Sequence, residues 1–157
     1  MLPPALVSAA LGLALAFAPR KARGASLLIL MATAIGVSFA PLPQGWLEAA
    51  FLACWMSVVT SAASVHLRDG VGLRAAFALS LNAGVWSGAV VAVGGSRLDL
   101  MKALPWVLVV LPAEWVVRRR ASIVLKVVSS WLIAVAVLAA MLQFLPVTPG
   151  YLPDHLE

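Results

Sequence analysis

Six apolar runs, separated by short turns that carry most of the charge, govern what this chain can become. They cover residues 2–18, 25–40, 46–67, 73–94, 103–117 and 122–145. The chain has 157 residues, of which 63% are hydrophobic and 11% charged, and its mean hydropathy is +1.04. A soluble domain carries about 25% charged and about 45–50% apolar residues. This much apolar surface has no hiding place in water, so the bulk of the chain belongs in lipid. The expectation is an all-α, polytopic membrane helix bundle of six short transmembrane helices with short loops. Residues 1–157 form a single integral-membrane domain, with no room for a soluble one.

A full crossing takes about 20 residues, with a usual range of about 17–25. The third, fourth and sixth runs meet it. The first, second and fifth are short. They are expected to thin the bilayer locally or to gain length from snorkelling Arg20 and Arg118. The second and fifth are the runs expected to fail first, as half-spans. Turn signals such as "PLPQG" and "RDGVG" separate the runs, and such short loops force sequence neighbours antiparallel. The early stretch "ALAFAPRKARG" offers a small-x-small site ending at Ala18. Its basic cluster follows the apolar run, the reverse of a signal peptide, so the first run reads as a retained span.

Charge then orients the bundle. Arg20, Lys21, Arg23, Arg68, Arg74, Arg118, Arg119, Arg120 and Lys126 fall on one side if all six runs cross. The other side holds Arg97 and Lys102 with Glu48, Asp99, Asp154 and Glu157. The positive-inside bias points to a bacterial-type inner membrane with both termini outside the cytoplasm. The net charge of +5 and pI near 10.4 do not indicate nucleic acid. The cations sit in clusters between apolar runs, where anionic headgroups are the natural partner. Trp46 and Trp106 near the outer boundary, and Trp115 near the inner one, read as interface anchors. Trp55, Trp86 and Trp131 are too deep for that role.

The stretch "CWMSVVTSAASVH" places Ser57, Thr60, Ser61 and Ser64 on one helical stripe. At every fourth position the third run reads Ala49, Ala53, Ser57, Ser61. The fourth reads Ala76, Ser80, Gly84, Gly88, Ala92, including the GxxxG pattern "GVWSG". In lipid, small residues let helix backbones approach closely. Ser57 and Ser61 are therefore expected to face the Ser80–Gly84–Gly88 ridge in a tight hairpin. Thr60 and Ser64 lie part of a turn away, with a third helix, a cavity or a carbonyl one turn back as partner.

Ionisable residues inside a span are functional candidates. Glu114, in "LPAEWVVRRR", stands at i, i+4 from Arg118, the spacing of an ion pair. Its rival role is a coupling carboxylate on a helix that Pro105 and Pro112 break twice. Asn82 is mid-span and wants an interhelical bond. Lys126 is expected to snorkel, Glu48 to suit a helix N-terminus, Gln143 to reach headgroups and His66 to be interfacial. His66 and His155 fall on opposite sides, so no metal site is expected, nor any cofactor. Cys54 is the only cysteine and makes no intrachain disulfide. Activated groups for catalysis are missing, and the expectation is a protein that is not an enzyme.

Two functions survive. The first is binding or permeation of a small neutral or aromatic solute by Trp55, Thr60, Asn82, Trp86 and Trp131, with a homo-oligomer supplying further walls. The second is a non-catalytic subunit of a larger membrane complex. The first requires a polar-lined cavity at mid-depth with Asn82 and Thr60 on its wall. The second requires a filled interior and an outer ridge, for which the small row Ala32, Gly36, Ala40 is a candidate.

Overall fold

The computed structural model describes residues 2–68, 70–94, 97–119 and 121–144. Arg120, Asp154, His155 and Glu157 lie outside the described residues. The described chain is helical throughout. Its elements are α1 (Leu2–Ala16), α2 (Arg20–Ser38), α3 (Leu47–Ser64), α4 (Leu73–Gly94), α5 (Arg97–Ala103), α6 (Val110–Arg118) and α7 (Ser122–Leu142). A 3-10 turn, Gln44–Trp46, leads into α3, and a 3-10 segment, Leu104–Val109, joins α5 to α6.

Four helical stretches are long and apolar enough to cross a bilayer: Arg20–Ser38, Gln44–Ser64, Leu73–Gly94 and Ser122–Leu142. This corrects the expectation of six spans in two places. With 15 residues, α1 is about 22 Å long, short of the hydrocarbon thickness of about 30 Å. The fifth run is not one helix but a 3-10 segment and α6. Pro105 lacks the N–H that an α-helical ladder needs and lies in the tighter 3-10 segment, while Pro112 falls in the first turn of α6, where a missing N–H is tolerated. The second run errs the other way. Pro19 holds an extended backbone and α2 starts directly after it, five residues before residue 25. Arg20, Lys21 and Arg23 are good helix formers and add the missing turn.

Despite its length, α1 forms the axis of the bundle. Val7, Ala10, Leu11, Ala14 and Leu15 have no exposed surface. A helix apolar all round belongs in the core, and α1 touches α3, α4, α6, α7 and the 3-10 segment. Gly12 makes the last contact intimate. A Cβ there would stand 2.7 Å from the carbonyl oxygen of Val107.

The small-residue ridge of α4 does not pack on α3 as expected. A Cβ on Gly84 would meet the Thr33 hydroxyl and, at 2.9 Å, the Leu30 carbonyl; one on Gly88 would meet the Ala34 carbonyl at 2.6 Å. The ridge therefore faces α2, and since both sets of numbers rise together, α2 and α4 run parallel. The buried row of α2 is Ala22, Ser26, Leu30, Ala34, Ser38, and its small members give α4 the matching groove. Close backbone approach, and not adjacency in sequence, pairs these two helices.

The basic turns gather at one end. Gly70, at φ +71, makes the left-handed turn between α3 and α4. A Cβ on it would stand 3.0 Å from the Phe17 carbonyl, so that turn rests on the end of α1. Arg20 and Arg23 at the start of α2 reach Glu114 on α6, and His66 beyond α3 reaches Ser129 on α7. At the opposite end, Gly94 closing α4 meets Leu47 opening α3.

Candidate functional site

The mid-depth polar groups form one directed chain on α3 and α4. Asn82 and Trp86, one turn apart, share a face of α4. The Trp86 indole N–H donates to Asn82 Oδ1 at 3.1 Å, and Asn82 Nδ2 donates to Ser57 Oγ at 2.8 Å. The Ser57 hydroxyl donates to the Ala53 carbonyl at 2.9 Å, and Thr60 Oγ1 to the Ser57 carbonyl at 3.2 Å. Each of these side chains thus donates to an acceptor, which is what polar groups among apolar neighbours require. Together with Ala49, Leu52, Ala53 and Met56, these residues line an open groove of about 340 Å³. It looks outward, because Met56 and Thr60 are exposed.

The five expected solute-binding residues therefore separate. Thr60, Asn82 and Trp86 line the groove. Trp55 is 7% exposed and belongs to the core around α1. Trp131 is 64% exposed on the outer face of α7. Of the three tryptophans too deep for interface anchors, Trp131 thus packs outward, on a face of α7 left open among the described residues. Of the packing residues, Ser57, Ser61, Ser80, Gly84 and Gly88 are all buried. The Ser61 and Ser80 hydroxyls, with those of Ser26 and Ser87, find no hydrogen-bond partner among the described residues.

Glu114 is the hub of the basic end. Its Oε2 receives Arg23 Nη1 at 2.7 Å. Its Oε1 receives Arg20 Nη2 at 3.3 Å, Arg118 Nε at 3.1 Å and Arg118 Nη2. Arg23 also closes the end of α1, donating from Nη2 to the Ala16 carbonyl at 3.0 Å and from Nε to the Ala18 carbonyl at 3.2 Å. One carboxylate thereby fastens α1, α2 and α6. The pair with Arg118 follows from sequence spacing; the arms from Arg20 and Arg23 do not. Both Glu114 oxygens thus face guanidinium groups.

Sequence reasoning missed the role of His66. Its Nε2 lies 3.0 Å from Ser129 Oγ and 3.4 Å from Ser130 Oγ. The Ser129 hydroxyl also reaches the Lys126 carbonyl at 2.9 Å. The His66–Ser129 bond ties the end of α3 to α7. The available signal was the Ser129–Ser130 pair two turns into α7.

Other depressions are open clefts between helices. One of about 540 Å³ lies at the end away from the basic turns, among Leu47, Glu48, Phe51, Leu52, Gln143 and Phe144. Another, of about 490 Å³, is an apolar trough between α1, the 3-10 segment and α7. Comparison with known protein families, with curated proteins and with solved structures yields no match for this chain.

Proposed function

We propose that this chain is a non-catalytic subunit of a larger membrane assembly, working through contacts between its helices and those of a partner. The observation that carries the reading is that α1 fills the interior, while the mid-depth polar groups open sideways onto the α3–α4 groove. A polar groove on a lipid-facing wall is well suited to a transmembrane helix, whose small or polar side chains meet Asn82 and Thr60. The row Ala32, Gly36 on α2 is exposed as well and offers a second flat approach. In this reading the basic end faces the cytoplasm of a bacterial-type inner membrane.

A second reading keeps one specific support. The Trp86–Asn82–Ser57 chain with Thr60 combines an aromatic wall with uncharged polar groups, apt for a small neutral or aromatic solute. Transport by this route needs a second copy to wall the groove. Cysteines placed at Thr60 and Asn82, in a background lacking Cys54, separate the two readings. The subunit reading expects both protected from an aqueous thiol reagent in native membranes, and a photo-crosslinker at Thr60 giving one product of discrete mass. Rapid aqueous labelling with no crosslinked product would sink it and favour the solute reading.

A further inference from the structure

The Glu114 hub carries more positive charge than it uses. Three guanidinium groups converge on one carboxylate, which leaves a surplus of two charges. Arg23 is spent, since it is largely buried and bonded to the end of α1. Arg20 and Arg118 are not, their side chains being 72% and 61% exposed. Both contact the same oxygen, Oε1. Their contacting nitrogens thus lie no further apart than those two contacts together allow. Two like charges held this close repel each other, and each guanidinium keeps N–H donors that Glu114 does not use. That is a fork of the size and polarity that holds a phosphate group.

The surroundings say which phosphate. Leading up to Arg118 along α6 and the preceding segment, Leu108, Leu111 and Trp115 are all exposed. Arg119 lies over the Trp115 ring, 4.3 Å from its centroid. An apolar strip that runs into a tryptophan and then a cluster of arginines has the order of an acyl chain, an interface and a headgroup. A free phosphate would use the fork and leave the strip bare. We infer that Arg20 and Arg118 bind the phosphate of an anionic phospholipid headgroup, with its acyl chains along Leu108, Leu111 and Trp115. The site rests on the chain being membrane-embedded, though not on which partner the α3–α4 groove receives.

The test uses the full chain in a non-ionic detergent, following its melting temperature while phosphatidylglycerol, phosphatidylcholine or glycerol phosphate is added. Phosphatidylglycerol is expected to raise the melting temperature by several degrees at concentrations where the other two do nothing. Arg20→Gln leaves Arg23 and Arg118 on Glu114 and so keeps the fold, and it should weaken the phosphatidylglycerol response at least fivefold. The double variant with Arg118→Gln should remove it. Lys126→Gln, which lowers the charge of the same end outside the hub, should change nothing. Glu114→Gln removes the competing carboxylate, and lipid affinity should rise even where the starting melting temperature falls. An equal loss from Lys126→Gln would reduce the site to diffuse charge and overturn the inference. So would a response to glycerol phosphate as strong as that to the lipid. An equal response to phosphatidylcholine would also overturn it, while leaving the membrane reading intact.

Discussion

Gly88→Ala, set beside Gly36→Ala, isolates the α2–α4 contact. A Cβ at residue 88 would stand 2.6 Å from the Ala34 carbonyl oxygen, 2.9 Å from Val37 Cβ and 3.2 Å from Ala34 Cα. Ordinary van der Waals contact begins near 3.4 Å. The nearest obstacle is backbone, so the two helices must part by most of an ångström along the ridge. Overpacking of this kind costs about 1–3 kcal/mol. Replacing Gly by Ala in a helix returns up to about 1 kcal/mol. At Gly36, on the exposed side of α2, nothing lies within 4 Å, and only the favourable contribution operates. That contribution is common to both variants and cancels in their difference. Gly88→Ala should therefore fall about 1–3 kcal/mol below Gly36→Ala, a factor of roughly five to more than a hundred in the folded ratio. Reversible unfolding in mixed micelles, followed by tryptophan fluorescence, reads this directly. Equal stability of the two variants would refute the parallel α2–α4 packing, and Gly88→Val should widen the gap.

A double-mutant cycle of Asn82→Ala and Ser57→Ala should give a coupling of about 0.6 kcal/mol, the mean for hydrogen bonds between membrane helices; no coupling would argue against the Asn82–Ser57 bond. Arg23→Ala loses two bonds to the carbonyls that end α1, and unfolding should show a loss of about 2 kcal/mol or more. Ser61→Ala and Ser80→Ala remove buried hydroxyls that bond to nothing among the described residues, and their melting temperatures should match or exceed that of the parent chain. Trp131→Ala, on the outer face of α7, should move stability by less than about 0.5 kcal/mol in micelles; a larger loss would mean that Trp131 has an interior partner.

Helices with clear ends were legible in the sequence. The expected run at 73–94 coincides with α4, and those at 46–67 and 122–145 contain α3 and α7, because glycine and proline turns bound the first two and an arginine cluster precedes the third. The start of α2 was hidden because charge marked Arg20–Arg23 as loop, although long basic side chains sit well in a helix whose end reaches the interface. Shortness was what the sequence showed of α1, and it says nothing of position; its lack of any polar face was the signal of its centrality. The misassigned ridge has the same root. Periodicity shows which residues share a face, and it cannot show which two faces meet. Placing α1 at the axis is what leaves α2 for the glycines of α4. For the same reason the Glu114–Arg118 pair was readable, while Arg20 and Arg23, more than ninety positions away in the chain, were not.

The helix around which the others gather is synthesised ahead of all of them. At about 5–20 residues per second, the ribosome needs several seconds to pass from Ala16 to the end of α6, and longer to finish α7. By then α3 and α4 can already lie against α1, but the side that α6 and α7 cover stays bare until they follow. The finished protein is thus assembled inward onto a pre-laid axle, and mutations that slow the release of later helices should trap a form whose first helix is still bare on that side.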